Sequence, residues 1–213
     1  MVKLESYTKP VGNYTMEEFI IHCARVSNPE NQDNNETALG LINYLINHKH
    51  WSPFEMGSVC LKIETTRDIG RQLLRHRSFQ FQEFSQRYAS PSFIAEPREA
   101  RLQDIKNRQN SIEIDNPSLQ QEWVDTQQYI IDMTKKAYEW ALYNNIAKEC
   151  ARGVLPEGLT KTVIYMNGTI RSWIHFLDIR LASDTQKEHR SIAKEAAIEL
   201  SAVCPTIFSK YFT

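Results

Sequence analysis

Apolar and polar residues alternate most regularly from Ser58 to Thr65. Val59, Leu61 and Ile63 fall on one side and Cys60, Lys62 and Glu64 on the other, which predicts a half-buried strand. Residues 2–8 predict a short strand, and Thr160 to Met166 another. Helical spacing marks other stretches. Thr15-Met16-Glu17-Glu18 is a capping-box pattern opening a helix through about Arg25, with Phe19, Ile20 and Cys23 on its buried side. Leu39, Ile42 and Ile46, with Leu45 beside them, predict a helix from about Glu36 to His48, and the Asn- and Glu-rich stretch 28–36 before it reads as a loop. Thr66 caps a helix over about 67–76, and the Phe-rich stretch Ser78 to Tyr88 is a strand or an ordered loop. The polar segment from Glu96 to Asn116 reads as a surface excursion. From Ser118 to about Ala151 the composition predicts one long helix, with Trp123, Ile130, Ile131, Ala137, Trp140 and Ala141 as core; its Tyr, Trp and Met residues all read as core. Leu155-Pro156-Glu157-Gly158 ends it. Helices over 169–181 and 185–202 follow. Few strands and several helices without regular alternation predict an α+β fold, one domain over 1–213, rather than a doubly wound sheet.

Composition narrows the function classes. A 213-residue chain is long enough for one domain with a sizeable core. Its 25 Lys and Arg nearly balance 26 Asp and Glu, a net charge of -1, so nothing global draws it to nucleic acid or to an anionic membrane. Anion binding therefore requires a local cluster. The seven glycines form neither a dinucleotide fingerprint nor a P-loop. Cys23, Cys60, Cys150 and Cys204 are dispersed, as expected of a reduced intracellular protein. The N-terminus lacks signal-peptide order and no apolar run approaches a membrane span, so a soluble, cytoplasmic protein is expected.

The cluster exists. Arg71, Arg75, His76, Arg77 and Arg87 lie within 17 residues. On a helix Arg71 and Arg75 share a face, and Arg87 nearby completes a set that a phosphate would neutralise through charge-assisted forks. The alternative is a solvated basic face. Gln72, Glu83 and Ser85 add the directional donors and acceptors that ligand recognition needs and a solubility face does not.

These residues also carry a resemblance. Arg75-His76-Arg77, seven residues, then Ser85-x-Arg87 is similar to the signature of the flavin-dependent thymidylate synthases. His50-Trp51-Ser52-Pro53-Phe54-Glu55 resembles that family's segment before its main strand, with Met56 where the family usually has histidine. Ala151-Arg152-x-Val154-Leu155-Pro156, the stretch Arg171-Ser172-Trp173 through Phe176 to Arg180, and Gln186-x-Glu188 resemble its later segments, so the likeness runs from about Ala24 to Glu188. It implies an antiparallel sheet with packed helices. It also implies reductive methylation of dUMP to dTMP, with methylenetetrahydrofolate as carbon donor, FAD as cofactor and NADPH as reductant, in a homotetramer whose sites lie between subunits.

The resemblance assigns Gln72, Arg75, Glu83, Ser85, Arg87 and Arg152 to dUMP, and Arg180 to the uracil ring. There an always-charged guanidinium suits a stabiliser of developing negative charge rather than a base. To the flavin it assigns Ser52, Arg75, His76, Arg77, Glu83, Thr169, Arg171 and His175, the last where some family members carry Asn. On this reading His76 and Arg77 place cationic or donor groups along the flavin edge. A two-residue shift of the alignment would put Asn167 in the place of Thr169. Ser27 is a further flavin candidate, and His50 a flavin- or folate-side one, against a histidine that satisfies a helix C-terminus.

Other readings of the same residues remain. His48 and His50 have metal-pair spacing, but no third ligand follows at suitable distance, and no metal is expected. Ser85 as a nucleophile lacks an evident base, which favours a ligand hydrogen bond. His175 could instead be a core histidine between Trp173 and Phe176. A nucleotide- or RNA-binding module could use the same arginines with Phe79, Phe81 and Phe84 as stacking surfaces. The neutral charge argues against it.

Overall fold

In the computed structural model, which describes residues 1–90 and 96–211, the alternating stretch is a strand, Ser58–Thr66, with Val59, Leu61 and Ile63 fully buried. In chain order the strands are β1 (Val2–Tyr7), β2 (Ser58–Thr66), β3 (Gln80–Glu83), β4 (Arg101–Gln103), β5 (Ser111–Glu113) and β6 (Lys161–Thr169). The helices are α1 (Met16–Ala24), α2 (Ala38–Asn47), α3 (Arg67–Leu73), α4 (Pro117–Tyr143), α5 (Lys148–Ala151), α6 (Ile170–Arg180), α7 (Lys187–Ser201) and α8 (Pro205–Phe208). The expected α+β class, an antiparallel sheet with packed helices, is what the chain adopts. Its packing resolves into two compact units.

The first unit comprises Met1–Ile63, His76–Gln82 and the described chain from Tyr165 onward. The main sheet has the order β1-β2-β6-β3. β1 runs antiparallel to β2, with Val2 opposite Ile63, Leu4 opposite Leu61 and a register shift between Leu4 and Ser6. As an edge strand β1 would offer open amides to another chain. Here Glu195 and Glu199 of α7 accept from the amides of Val2 and Leu4, each at 2.8 Å. Trp173 of α6 is fully buried and donates to the Val59 carbonyl at 3.0 Å, pinning α6 to β2. Ala193, Ala196 and Ala197 bury a small-residue face of α7. The capping box at Thr15 and Glu18 forms as expected. On α1, Met16, Ile20 and Ile21 are buried, whereas Phe19 and Cys23 are half-buried; on α2, Leu39 is exposed and Ala38 takes the core position.

The second unit comprises Glu64–Arg75 and the described residues of Glu83–Ile164. The expected excursion contains an antiparallel hairpin, with Leu102 of β4 opposite Ile112 of β5. The expected single long helix is two. It stops at Tyr143, Asn145 adopts a left-handed φ of 59°, and the chain restarts as α5. Asn tolerates that conformation better than most residues, and tandem Asn144-Asn145 is the local reason for the break. The core assignment on α4 also needs correction. Ile131, Tyr138 and Ala141 are buried, but Trp123, Tyr129, Ile130, Met133, Ala137, Trp140 and Tyr143 are exposed. α3 is shorter than expected. Thr66 occupies its N-cap without capping a backbone amide, and its hydroxyl donates to Asp68 instead, at 2.5 Å.

Gly168 of β6 is required by close approach. A Cβ there would overlap the ring of Phe79, itself packed edge-on to Trp173 with centroids 4.7 Å apart. Gly168→Ala should therefore lower the unfolding free energy by about 1–3 kcal/mol, the usual range for overpacking. Urea titration measures it, and an unchanged midpoint would mean that Phe79 has room to move.

Candidate active site

Most of the expected site residues fall into three side-chain groups, built on different elements, with Ser27 and His50 lying apart from them. The first lies at the start of α6. The turn Ser52–Glu55, opened by Pro53, presents Glu55 to the helix N-terminus. Thr169 is the N-cap and donates to Glu55 Oε2 at 2.8 Å, while Arg171 Nη1 donates to Oε1 at 2.7 Å. Burial pushes the Glu55 carboxyl up, but the hydrogen bonds from Thr169 and Arg171 and the Arg171 charge outweigh it, and the net shift is below the usual carboxylate range. His175 packs edge-on to Trp51, centroids 4.8 Å apart, so it contacts Trp51 rather than filling a core position between Trp173 and Phe176. Ser52 and Asn167 are exposed.

Ser27 lines a cavity of about 630 Å³ with Ala24, Arg25, Asn31, Thr37 and Tyr44. Arg25 stiffens its wall by donating to the carbonyls of Asn31 and Asn34 and to the Thr37 hydroxyl. Tyr44 connects this wall to His50, whose ring stands edge-on to it at 6.0 Å, while His48 stacks on Tyr44 at 3.9 Å. Among the described residues no group of three or more His, Cys, Asp or Glu gathers as metal ligands.

The second group surrounds Arg180. Its Nε donates to Nε2 of His76 at 2.9 Å. That bond requires an unprotonated Nε2, so the imidazole carries its hydrogen on Nδ1. His189 of α7 is fully buried, with its ring centroid 6.2 Å from that of His76. Phe176 touches both rings, and Phe79 packs against His76. Burial first, and the Arg180 charge second, hold His76 down to about 4 and His189 to about 3. Of the cationic and donor alternatives, His76 therefore keeps the donor one, through Nδ1–H: desolvation and a neighbouring guanidinium keep it neutral near pH 7. Arg77, beside it, is the exposed cation.

The third group belongs to α3 and the strand ends of the second unit. Arg67, nearly buried, donates through Nη1 to Glu83 Oε1 at 3.2 Å and through Nε to Glu157 at 3.3 Å. Thr162 also donates to Glu83 Oε1, at 2.9 Å. Arg71 forks onto both oxygens of Glu157, at 2.5 and 3.1 Å. It is therefore committed to a carboxylate and does not join Arg75 in a free pair. Gln72 is half-buried and Arg75 exposed. Ser85 accepts from the Arg87 amide at 3.4 Å, and Arg87 makes an exposed ion pair with Glu149 at 3.4 Å, of a kind worth little. Among the described residues Arg75, Arg77 and Arg152 have no carboxylate or side-chain acceptor.

Sequence reasoning omits Glu55, Arg67, Thr162, Glu157 and His189 from the site. Arg67 had a signal, since it stands four residues before Arg71 on one helix face. Glu55 had another, its place in the segment His50 to Glu55. His189 had none, because a lone histidine on an amphipathic helix looks like any half-polar position.

The two imidazoles make stability depend on pH. Each binds its proton more weakly in the folded chain than at the unfolded value of 6.5, so from about pH 4 to 6.5 the unfolded state binds more protons. Their contribution is fully present above that window and is lost as pH falls through it. Between pH 7 and 5 each histidine should lower the unfolding free energy by about 1 kcal/mol per pH unit. His189→Leu should remove its share of the slope in denaturant titrations, and an equal slope in variant and parent would contradict a neutral His189.

Comparison with known proteins places this geometry. Residues 10–206 match the family model described as thymidylate synthase complementing protein. The chain is 50% identical over 212 residues to a probable flavin-dependent thymidylate synthase of Paramecium bursaria Chlorella virus 1, covering 99% of this chain and 94% of that one. It is 45% identical over 196 residues to the flavin-dependent thymidylate synthase of Synechocystis sp., covering 92% and 86%. A UMP/dUMP methylase, PolB from Streptomyces cacaoi, crystallised with 5-Br dUMP, has the same fold at a TM-score of 0.84 and 24% identity, over 98% of this chain and 93% of that one. With the family model spanning both units and the arginine motif intact, the chain belongs to the thymidylate synthase complementing protein family, that of the flavin-dependent thymidylate synthases.

Proposed function

We propose that the protein converts dUMP to dTMP by reductive methylation, with methylenetetrahydrofolate as one-carbon donor, FAD as cofactor and NADPH as reductant. One observation carries the reading. Arg67, Arg71, Arg98 and Arg171 are each matched to a carboxylate. Arg75, Arg77 and Arg152, at motif positions, are not matched to one among the described residues. Cations kept from internal partners suit anionic ligands.

On this reading Arg75, Arg87, Arg152 and Ser85 hold the nucleotide phosphate, with Arg87 exchanging its weak pairing to Glu149 for the ligand. Gln72 and Glu83 add direction. Because Arg67 and Thr162 both donate to Oε1 of Glu83, Oε2 remains as its acceptor. The donor set also fits a flavin dinucleotide. Arg75 and Arg77 match its diphosphate charge, and Ser52, His76, Glu83, Thr169, Arg171 and His175 are directional partners. Ser27, His50 and Asn167 are further candidates on the flavin or folate side. When bound, the flavin supplies the hydride that completes the methyl group.

Arg180 is the catalytic residue of this proposal. Carbon-carbon bond formation requires negative charge to develop on the uracil ring, and a guanidinium beside a ring carbonyl stabilises it. His76 takes the Nε–H, which fixes the plane of the fork and leaves both terminal amino groups for the ring. We also read the whole chain as one catalytic domain, working in the cytoplasm as a homotetramer. Its sites are completed by neighbouring subunits, so that Arg152 and the Arg75 cluster around one ligand come from different chains. The net charge of -1 offers no general attraction to nucleic acid. Among the described residues no helix is long and apolar enough to cross a membrane.

Tritium release from 5-tritiated dUMP, with FAD, NADPH and methylenetetrahydrofolate present, tests the reaction; protein that takes up no flavin and releases no tritium refutes it. Arg180→Ala should lose most turnover while retaining FAD absorbance, and full tritium release from that variant would remove Arg180 from the chemistry. Arg87→Ala should raise the dUMP dissociation constant about tenfold or more, from roughly 1.5–3 kcal/mol for a charge-assisted hydrogen bond. Equal affinity in variant and parent would take Arg87 out of the phosphate site.

A further inference from the structure

The nucleotide candidates from Gln72 to Arg87 lie in sequence between two residues that are joined to each other. Arg98 Nη1 donates to Oδ2 of Asp68 and Nη2 to Oδ1, both at 2.8 Å, across 30 positions of chain. Nη2 also donates to the Thr66 hydroxyl at 2.5 Å, and that hydroxyl donates onward to Asp68 Oδ1. The fork is shielded, the side chains of Arg98 and Asp68 being 24% and 29% exposed. Burial pushes the Asp68 carboxyl up, but the hydrogen bonds from Arg98 and Thr66 and the Arg98 charge leave it below the usual carboxylate range.

Both ends of this clasp are themselves anchored. Asp68 belongs to the first turn of α3, where the amides of Arg67 and Asp68 donate to the carbonyls of Thr160 and Glu157. Close packing fixes the helix further, since a Cβ on Gly70 would lie 2.9 Å from Ile164 Cδ1. At the other end Gln127 of α4 accepts from the Arg98 amide on Oε1 at 2.9 Å and donates through Nε2 to the Arg98 carbonyl at 2.8 Å. Gln120, two turns earlier on α4, pairs in the same way with Ala100. The two glutamines thus serve residues 98–100 as a strand edge would. On the stretch in between, Lys148 donates to the Tyr88 carbonyl and Lys161 to Glu96, both in exposed contacts of a kind that contributes little.

We propose that Arg98 is a positioning residue of the nucleotide site, an inference that rests on the dUMP reading above. The clasp returns the chain after Arg87 to the helix that carries Gln72. The segment bearing Ser85 and Arg87 is thereby held at both ends, and less of its ordering is left for the arriving phosphate to impose. A guanidinium suits the task. Two of its N–H groups match the two carboxylate oxygens while one amino group also reaches the hydroxyl, and an ammonium has no fixed plane with which to do the same.

Calorimetric titration of the FAD-loaded full chain with dUMP, beside steady-state turnover, is the test. Arg98→Met keeps the stem and loses the fork. Its dUMP dissociation constant and KM should rise at least about tenfold, while retained FAD and kcat at saturating dUMP stay within about twofold of the parent. Arg98→Lys should fall between the two. Asp68→Asn should weaken dUMP binding as Arg98→Met does, and the double variant should weaken it no further, because residues that act as one unit are non-additive. Should Arg98→Met misfold by circular dichroism, Asp68→Asn and Arg98→Lys carry the same comparison. A clasp that served stability alone would lower the unfolding midpoint of the variants and leave dUMP affinity at the parental value; that result overturns the role of Arg98 while the enzymatic reading stands. A loss confined to kcat overturns it as well. A parent that binds no dUMP overturns both readings together.

Discussion

A guanidinium can stand beside two imidazoles inside a protein only while neither imidazole takes a proton. That constraint governs the centre of the first unit. Arg180 needs an acceptor for its Nε–H, and His76 provides one only in its neutral form. The aromatic packing of Phe79, Trp173 and Phe176 excludes water from this corner, which lowers the affinity of His76 and His189 for protons and so preserves the acceptor. The requirement reaches into the backbone. Phe79 can pack there only because Gly168 has no side chain, and α6 stays in register because Trp173 is bonded to the Val59 carbonyl.

Carboxylates do the complementary work of sorting arginines. Glu55 immobilises Arg171 together with the cap of α6, and Glu157 immobilises Arg67 and Arg71 along one face of α3. At the motif positions, among the described residues, Arg75, Arg77 and Arg152 stay uncommitted, in a chain whose charges nearly cancel overall. Neutrality of the whole and strong local cationic character are therefore compatible. Acidic residues hold the arginines that position, while among the motif arginines Arg87 has only an exposed ion pair and Arg75, Arg77 and Arg152 have none among the described residues.

Much of this was legible in the residue pattern. The alternation in β2, the capping box of α1 and the extent of α6 follow from local chemistry, and the structure agrees with each. The motif arginines were legible as a group but their division was not, because Arg71 differs from Arg75 only by the carboxylate that a distant loop brings to it. Neutral His76 was equally invisible, since a pKa depends on burial and on neighbours far along the chain. The error on α4 has another cause. Periodicity identifies an apolar face but does not say what covers it, so Trp123 and Trp140 read as core although the core side of the helix is the adjacent one.

The carboxylates of α7 on the edge of β1 bear on how the chain can be built. Glu195 and Glu199 reach back 193 and 195 positions to the amides of Val2 and Leu4. During synthesis the first strand emerges long before the helix that seals its outer edge. Until α7 is made, β1 presents open amides to whatever lies nearby, and loop closure across nearly the whole described sequence must precede their sealing. Early protection of that outer edge, by water or by a chaperone, is thus a condition on the birth of this protein that its finished form no longer displays.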